Sequence, residues 1–203
     1  MGKRNALAVW SSLNNMNGQR NPLTRTDWIA AARGLLIAGG VEHVRIGRLA
    51  ETLHVTRGGF YWLFKNRDDL LNELLKDWEH TNTRPFEKIL KPEHNGLAEL
   101  ETLIDMWLDE ADYSPAYDSA IRDWARMSSR AARAVKRVDA RRIKVIKTIF
   151  LDMGYAEDAA LVRARITYFH QVGYYILGLG ESRAERRKAR PLYLKILSGQ
   201  DIE

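Results

Sequence analysis

Residues 46–64 constrain this chain most. Ile46, Leu49, Ala50 and Leu53 recur at i, i+3, i+4 and i+7, the pattern of a helix with one apolar face. The run is only about two turns long, and so short a helix is not stable alone in water. Thr56 then offers an N-cap, and Phe60 and Phe64 stand four residues apart in a second short helix expected over 57–64. Two helices this short persist only if they bury their apolar faces against each other and a neighbour. The spacing therefore predicts a helix-turn-helix. Val55 is placed to plug the turn, and the small Ala50 lets the helices approach closely.

The rest of the chain also reads as helix. Thr24 or Thr26 can cap a helix carrying Trp28, Ile29, Ala32, Leu35 and Leu36, which Gly39-Gly40 ends. Lys65-Asn66-Arg67 reads as a turn. A long helix starts near Asp68 and stops before Pro92. Further helices are expected over 97–110, 116–127, 129–154, 157–179 and 184–197. Period-two alternation and hairpin dipeptides are missing. The expected fold class is all-α: an N-terminal three-helix domain with the helix-turn-helix, then a C-terminal helical domain. The expected division is a flexible tail over 1–22, the first domain over 23–67 and the second over 68–203.

Charge is distributed unevenly. The net charge is +6, yet residues 1–70 hold ten Lys or Arg against five Asp or Glu, and the remainder is nearly balanced. A basic N-terminal third points to a polyanion. The chain has no cysteine, which rules out disulfides and thiolate chemistry. The longest uncharged stretch, 166–180, is shorter than the roughly 20 apolar residues a bilayer span needs. No signal-peptide core follows Met1. A cytoplasmic protein without a membrane is expected. Phosphate loops, metal-binding helices and serine elbows are all missing, so neither an enzyme nor a cofactor or metal site is expected.

Packing of Phe60 and Phe64 leaves Thr56, Arg57, Gly59, Tyr61 and Trp62 to face outward. Gly58 and Gly59 each cost a helix about 1 kcal/mol relative to Ala. That choice suits a helix lying in a DNA major groove, where backbone must come close. Arg57 can give paired hydrogen bonds to guanine, and Tyr61 can reach a phosphate. A plain helical hairpin with Trp62 in its core is the alternative.

From Leu23 to about Leu75 the sequence resembles the TetR family of repressors. The resemblance rests on Ala31-Ala32 with Gly39-Gly40, Ile46 with Leu49-Ala50, Val55-Thr56-Arg57-Gly58, Phe60-Tyr61-Trp62-Leu63-Phe64, and the run from Lys65 to Leu71. It implies a homodimer that binds a double-stranded DNA operator through the N-terminal helices. It also implies a C-terminal domain for ligand and dimerisation. Thr56, Arg57, Gly58, Gly59, Tyr61 and Trp62 would lie on the recognition helix. Tyr61 and Lys65 would touch phosphate, Arg45 and Arg48 the DNA backbone, and Arg67 the flank. Two positions depart from the family pattern. His54 stands where Gly is usual, at a turn position that commonly needs positive φ. Leu63 replaces a frequent His.

The C-terminal helices carry candidates for the two remaining roles. Trp107, Tyr117, Trp124, Met127, Phe169, His170 and Tyr174 are candidates for a ligand pocket, which is typically apolar with a few polar groups. Asp105 and Asp123 are further polar candidates. Tyr168, Val172, Tyr175, Ile176 and Leu179, with Leu192, Tyr193 and Ile196, are candidates for the dimer interface. The basic run Arg130, Arg133, Lys136, Arg137, Arg141 and Arg142 reads as a solvated face. The expected function is a homodimeric repressor released from a palindromic operator by a small-molecule effector of unidentified chemistry. The alternative is a constitutive DNA-binding regulator or activator without such a ligand.

Overall fold

The computed structural model describes residues 23–110 and 112–199, so the expected tail over 1–22 lies outside the described residues. Helix α1, Arg25–Gly39, begins in a capping box: Thr24 Oγ1 accepts from the Asp27 N–H, and Asp27 accepts from the Thr24 N–H. This satisfies two donors the first turn would otherwise orphan. Gly40, at φ +76°, ends it. A 3₁₀ turn, Val41–His43, leads into α2, Ile46–Thr52, and α3, Gly58–Tyr61. Helix α4, Arg67–Glu87, is capped by Asn66, whose side chain accepts from the Asp69 N–H at 2.9 Å. Then follow α5, Gly96–Asp109; α6, Pro115–Ala125; α7, Ser129–Asp152; α8, Glu157–Leu177; and α9, Arg183–Ser198. The described residues are all-helical, with no strand.

The helix-turn-helix differs from expectation in detail. The second helix is a single turn rather than 57–64, and no side-chain cap starts it, so Thr56 contributes its carbonyl but not its hydroxyl. The N–H groups of Leu63 and Phe64 both reach the Phe60 carbonyl at 2.9 Å. That shared acceptor tightens the last turn and swings the chain into α4. In the turn before α3, His54 sits at φ 55°, the left-handed conformation its position demands.

Two apolar clusters organise the interior. The first gathers Trp28, Leu36, Leu49, Phe60, Phe64, Leu70 and Leu74 and continues into Tyr117 and Ile121 of α6 and Ala134 and Val138 of α7. The second gathers Phe86, Leu100, Leu103, Trp107, Ile146, Ile149 and Phe150 with Ala164 of α8 and Leu194 of α9. Helices α4 and α7 run through both. The core under the helix-turn-helix is therefore bonded to the C-terminal helices by packing, not by a linker.

Arg142 departs from the solvated face expected for its run. It is fully buried. Its guanidinium donates to Asp118 at 2.9 Å, to the Asn82 carbonyl at 3.0 Å and to the Tyr168 hydroxyl at 3.2 Å. The rings of Phe86, Tyr113 and Trp78 surround it at 5.0, 5.4 and 5.7 Å. Arg122 bridges the same Asp118 to Asp139, and Tyr168 donates to Asp139 at 2.6 Å. Burial pulls the Asp118 carboxyl up, but Arg142 and Arg122 outweigh it and hold it below its ordinary value. This network joins α4, α6, α7 and α8.

Two outcomes are expected. A carboxyl with a depressed folded-state pKa stabilises the fold fully above its unfolded value. That contribution is lost as pH falls through the folded value. Urea denaturation should therefore show wild-type stability falling below about pH 4, with a shallower fall in Asp118→Asn. Arg142→Met should cost about 3–5 kcal/mol at pH 7, because it leaves a buried carboxylate facing one cation instead of two. At the turn, His54→Val should lower stability by about 1–2 kcal/mol, since a β-branched side chain opposes left-handed backbone; thermal unfolding checks this.

Candidate nucleic-acid interface

The buried side of α3 fixes where its other side points. Phe60 meets Trp28 edge-on at 5.4 Å and stacks on Phe64 at 5.1 Å. Arg25 lies 4.4 Å over the Phe64 ring and donates to the Leu63 carbonyl. With Phe60 and Phe64 thus pinned, Tyr61 and Trp62 are turned outward and are 60% and 90% exposed. Trp62 is not a core residue, and the plain-hairpin alternative fails on that point.

The glycines of α3 serve no evident folding need. Neither has positive φ. A Cβ on Gly58 would lie 3.6 Å from the Thr56 hydroxyl, and one on Gly59 would lie 3.8 Å from the Trp28 ring. Both are ordinary contact distances. Gly59 is half-buried over Trp28 rather than facing outward, which corrects one expectation; Gly58 is exposed.

The cations of this face divide into two groups. Arg45, Arg48, Arg57 and Lys65 are exposed, as is Thr56. Arg45 also donates back to the Glu42 carbonyl at 2.9 Å. Arg57 lies across the first turn of α2, where a Cβ on Gly47 would come within 3.0 Å of its guanidinium. Gly47 is thus a residue that sequence reasoning missed. Arg67 does not follow the flanking role expected for it. Its guanidinium turns inward and donates to the carbonyls of Val41 and Val44, at 2.6 Å each. It ties the start of α4 to the 3₁₀ turn after α1.

The expected ligand residues do not gather into one cavity. Trp107, His170 and Tyr174 line one small cavity of about 40 Å³ between α5, α8 and α9. Tyr117 and Trp124 are buried in the cluster under the helix-turn-helix. Met127 and Phe169 are 89% and 57% exposed. Of the expected interface residues, Tyr168 is buried, with its hydroxyl in the ion network. Tyr175 is half-buried and donates to the Trp107 carbonyl at 3.0 Å, and Val172 is half-buried too. Ile176, Leu179, Leu192, Tyr193 and Ile196 are exposed on α8, α9 and the segment between them. Asp105 is paired with Arg190 at 2.6 Å, and Asp123 with Arg126 at 3.7 Å. Among the described residues, no cluster of acidic groups or histidines could hold a metal, and no helix is long and apolar enough to cross a membrane.

One contact that sequence reasoning missed connects α1 to the rest. Arg33 pairs with Asp77 of α4 at 2.7 Å, and the Tyr117 hydroxyl donates to Asp77 at 3.1 Å and to the Leu74 carbonyl at 2.8 Å. Its signal was faint, because it unites three residues far apart in sequence.

No curated protein matches the chain. A solved structure, described as BioQ with its natural double-stranded DNA operator, covers 88% of this chain and 99% of its own, at 18% identity and a TM-score of 0.46. Residues 29–74 match the model of the bacterial regulatory proteins of the tetR family. That span runs from α1 through the helix-turn-helix to the first half of α4. Over these residues, which hold the helix-turn-helix, the chain is similar to the tetR family of bacterial regulatory proteins.

Proposed function

We propose that the protein is a homodimeric repressor that reads a palindromic operator with α3 and releases it when a small molecule binds the C-terminal helices. The observation that carries the DNA contact is the exposed pair Tyr61 and Trp62 on a one-turn helix whose opposite side is locked into the core. Trp62 at this exposure has no packing role, and Tyr61 only meets the edge of Phe60 at 5.4 Å. In a major groove, Tyr61 would donate to phosphate and Trp62 would lie against base edges or sugars. Gly58 would let the backbone approach, and Thr56, Arg57, Arg45, Arg48 and Lys65 would set register and neutralise phosphates.

Dimerisation rests on a second feature. Val162, Ile166, Phe169, Ile176 and Leu179, with Leu192 and Ile196, expose large apolar side chains along α8 and α9. A continuous apolar stripe over two helices suits pairing with its own copy about a two-fold axis. Such a dimer would set two copies of α3 about 34 Å apart, one turn of duplex. A regulator without a small-molecule effector is the second reading. It is favoured by Arg142 and its three rings, which fill the space between α4, α6 and α7.

Two measurements test these points. On a duplex selected by the protein from a random pool, Tyr61→Ala and Trp62→Ala should each weaken binding about tenfold or more, read by fluorescence anisotropy, with melting temperature unchanged. Undiminished affinity in both would remove α3 from the interface. In sedimentation, the wild type should run as a dimer at micromolar concentration and Ile176→Glu as a monomer; a monomeric wild type would reject the α8–α9 interface.

A further inference from the structure

An open cleft of about 820 Å³ lies between α4, the segment before α6, and Tyr175 of α8. That volume falls within the range of small-molecule sites. Its lining includes the aromatic residues Tyr113, Tyr117 and Tyr175 together with Pro85, Pro115 and Ala116. Arg84 and Lys88 stand along its α4 wall, and neither is in an ion pair among the described residues. Two carboxylates also border it, but Glu110 is already engaged by Arg186 at 2.9 Å. Asp112 alone is left to offset two cations.

The floor carries an unused donor. Tyr113 is only 4% exposed, packed at 5.9 Å on both Phe86 and Tyr175, yet its hydroxyl has no hydrogen-bond partner among the described residues. The hydroxyl is not among the sealed polar atoms left without a partner, so an acceptor in the cleft can reach it. Burial, reinforced by Asp118, pushes this phenol well up, so it remains a neutral donor. Beside it, Pro85 interrupts α4 and has no N–H, so the carbonyl of Thr81, also in the cleft wall, loses its helical partner. The walls thus offer cations, a donor, a bare acceptor and flat apolar surface.

We propose that this cleft is the effector site and that its ligand is an organic anion with a planar body. The anionic group sits between Arg84 and Lys88, the body lies against the tyrosines, and an acceptor meets the Tyr113 hydroxyl. This rests on the ligand-controlled reading above and gives that ligand a place and a chemical class. The route to DNA is short. Tyr117 holds Asp77, and Asp77 holds Arg33 of α1. Asn82, also in the wall, gives its carbonyl to Arg142. A ligand that shifts either contact changes how α1 and α4 sit together.

Calorimetry with three probes of equal size tests the chemistry: 2-naphthoate, 2-naphthamide and 2-naphthylmethylammonium. Naphthoate should bind about tenfold or more tightly than the other two. The double variant Arg84→Gln with Lys88→Gln should lose that preference. Tyr113→Phe should weaken naphthoate roughly three- to tenfold at unchanged melting temperature, since its hydroxyl has no partner among the described residues. Equal binding of all three probes, no binding of naphthoate at millimolar concentration, or indifference to the substitutions would overturn the site. Naphthoate that binds yet leaves affinity for the selected duplex unchanged would overturn its role as effector. A protein that binds naphthoate but no DNA would overturn the regulator reading while leaving the cleft chemistry standing, because the calorimetry contains no DNA.

Discussion

The edge-on contact of Phe60 with Trp28 is the interaction on which the proposed DNA-facing surface depends. Helix α3 has one turn and too few internal hydrogen bonds to hold itself. It exists because Phe60 and Phe64 are buried against α1, while Arg25 closes over the Phe64 ring and ties down the Leu63 carbonyl. Everything on the outer side inherits its direction from that anchorage. Tyr61 and Trp62 face solvent because their neighbours cannot. The inward turn of Arg67 adds a second constraint, pinning the start of α4 to the 3₁₀ turn after α1.

A second layer of constraint lies deeper. Burying the Arg142 guanidinium obliges α4, α6, α7 and α8 to supply partners together, because an unpaired buried cation costs several kcal/mol. Arg33, Asp77 and Tyr117 then join α1 to this assembly at its edge. The two clusters of apolar side chains thus share their helices and meet at polar contacts that are directional. A contact of that kind has one good geometry, so a ligand that alters it shifts the relative placement of helices rather than a single side chain.

Much of the fold was legible in the sequence for local reasons. Period 3.6, the Thr24 cap and the glycine stops concern residues a few positions apart. His54 at positive φ was legible through the resemblance, which has Gly as the usual residue at that turn position. What failed was decided by distant partners. Arg142 looked like one more residue of a solvated basic face, since nothing nearby reveals Asp118 or the three rings around it. Arg67 looked available for DNA, but two carbonyls more than twenty residues away claim it. Trp124 looked like a pocket residue because aromatic composition does not say which cluster a side chain joins. The short α3, expected to reach residue 64, ended early because the Phe60 carbonyl accepts two N–H groups at once.

In the proposed complex, α3 enters a major groove. Chemical footprinting on a selected duplex tests it most directly, with methylation of guanine N7 as the major-groove probe. Two protected patches are expected, one helical turn, about 10 base pairs, apart on a two-fold symmetric site. Protection confined to the minor groove, or a duplex bound with its guanines fully reactive, would contradict it.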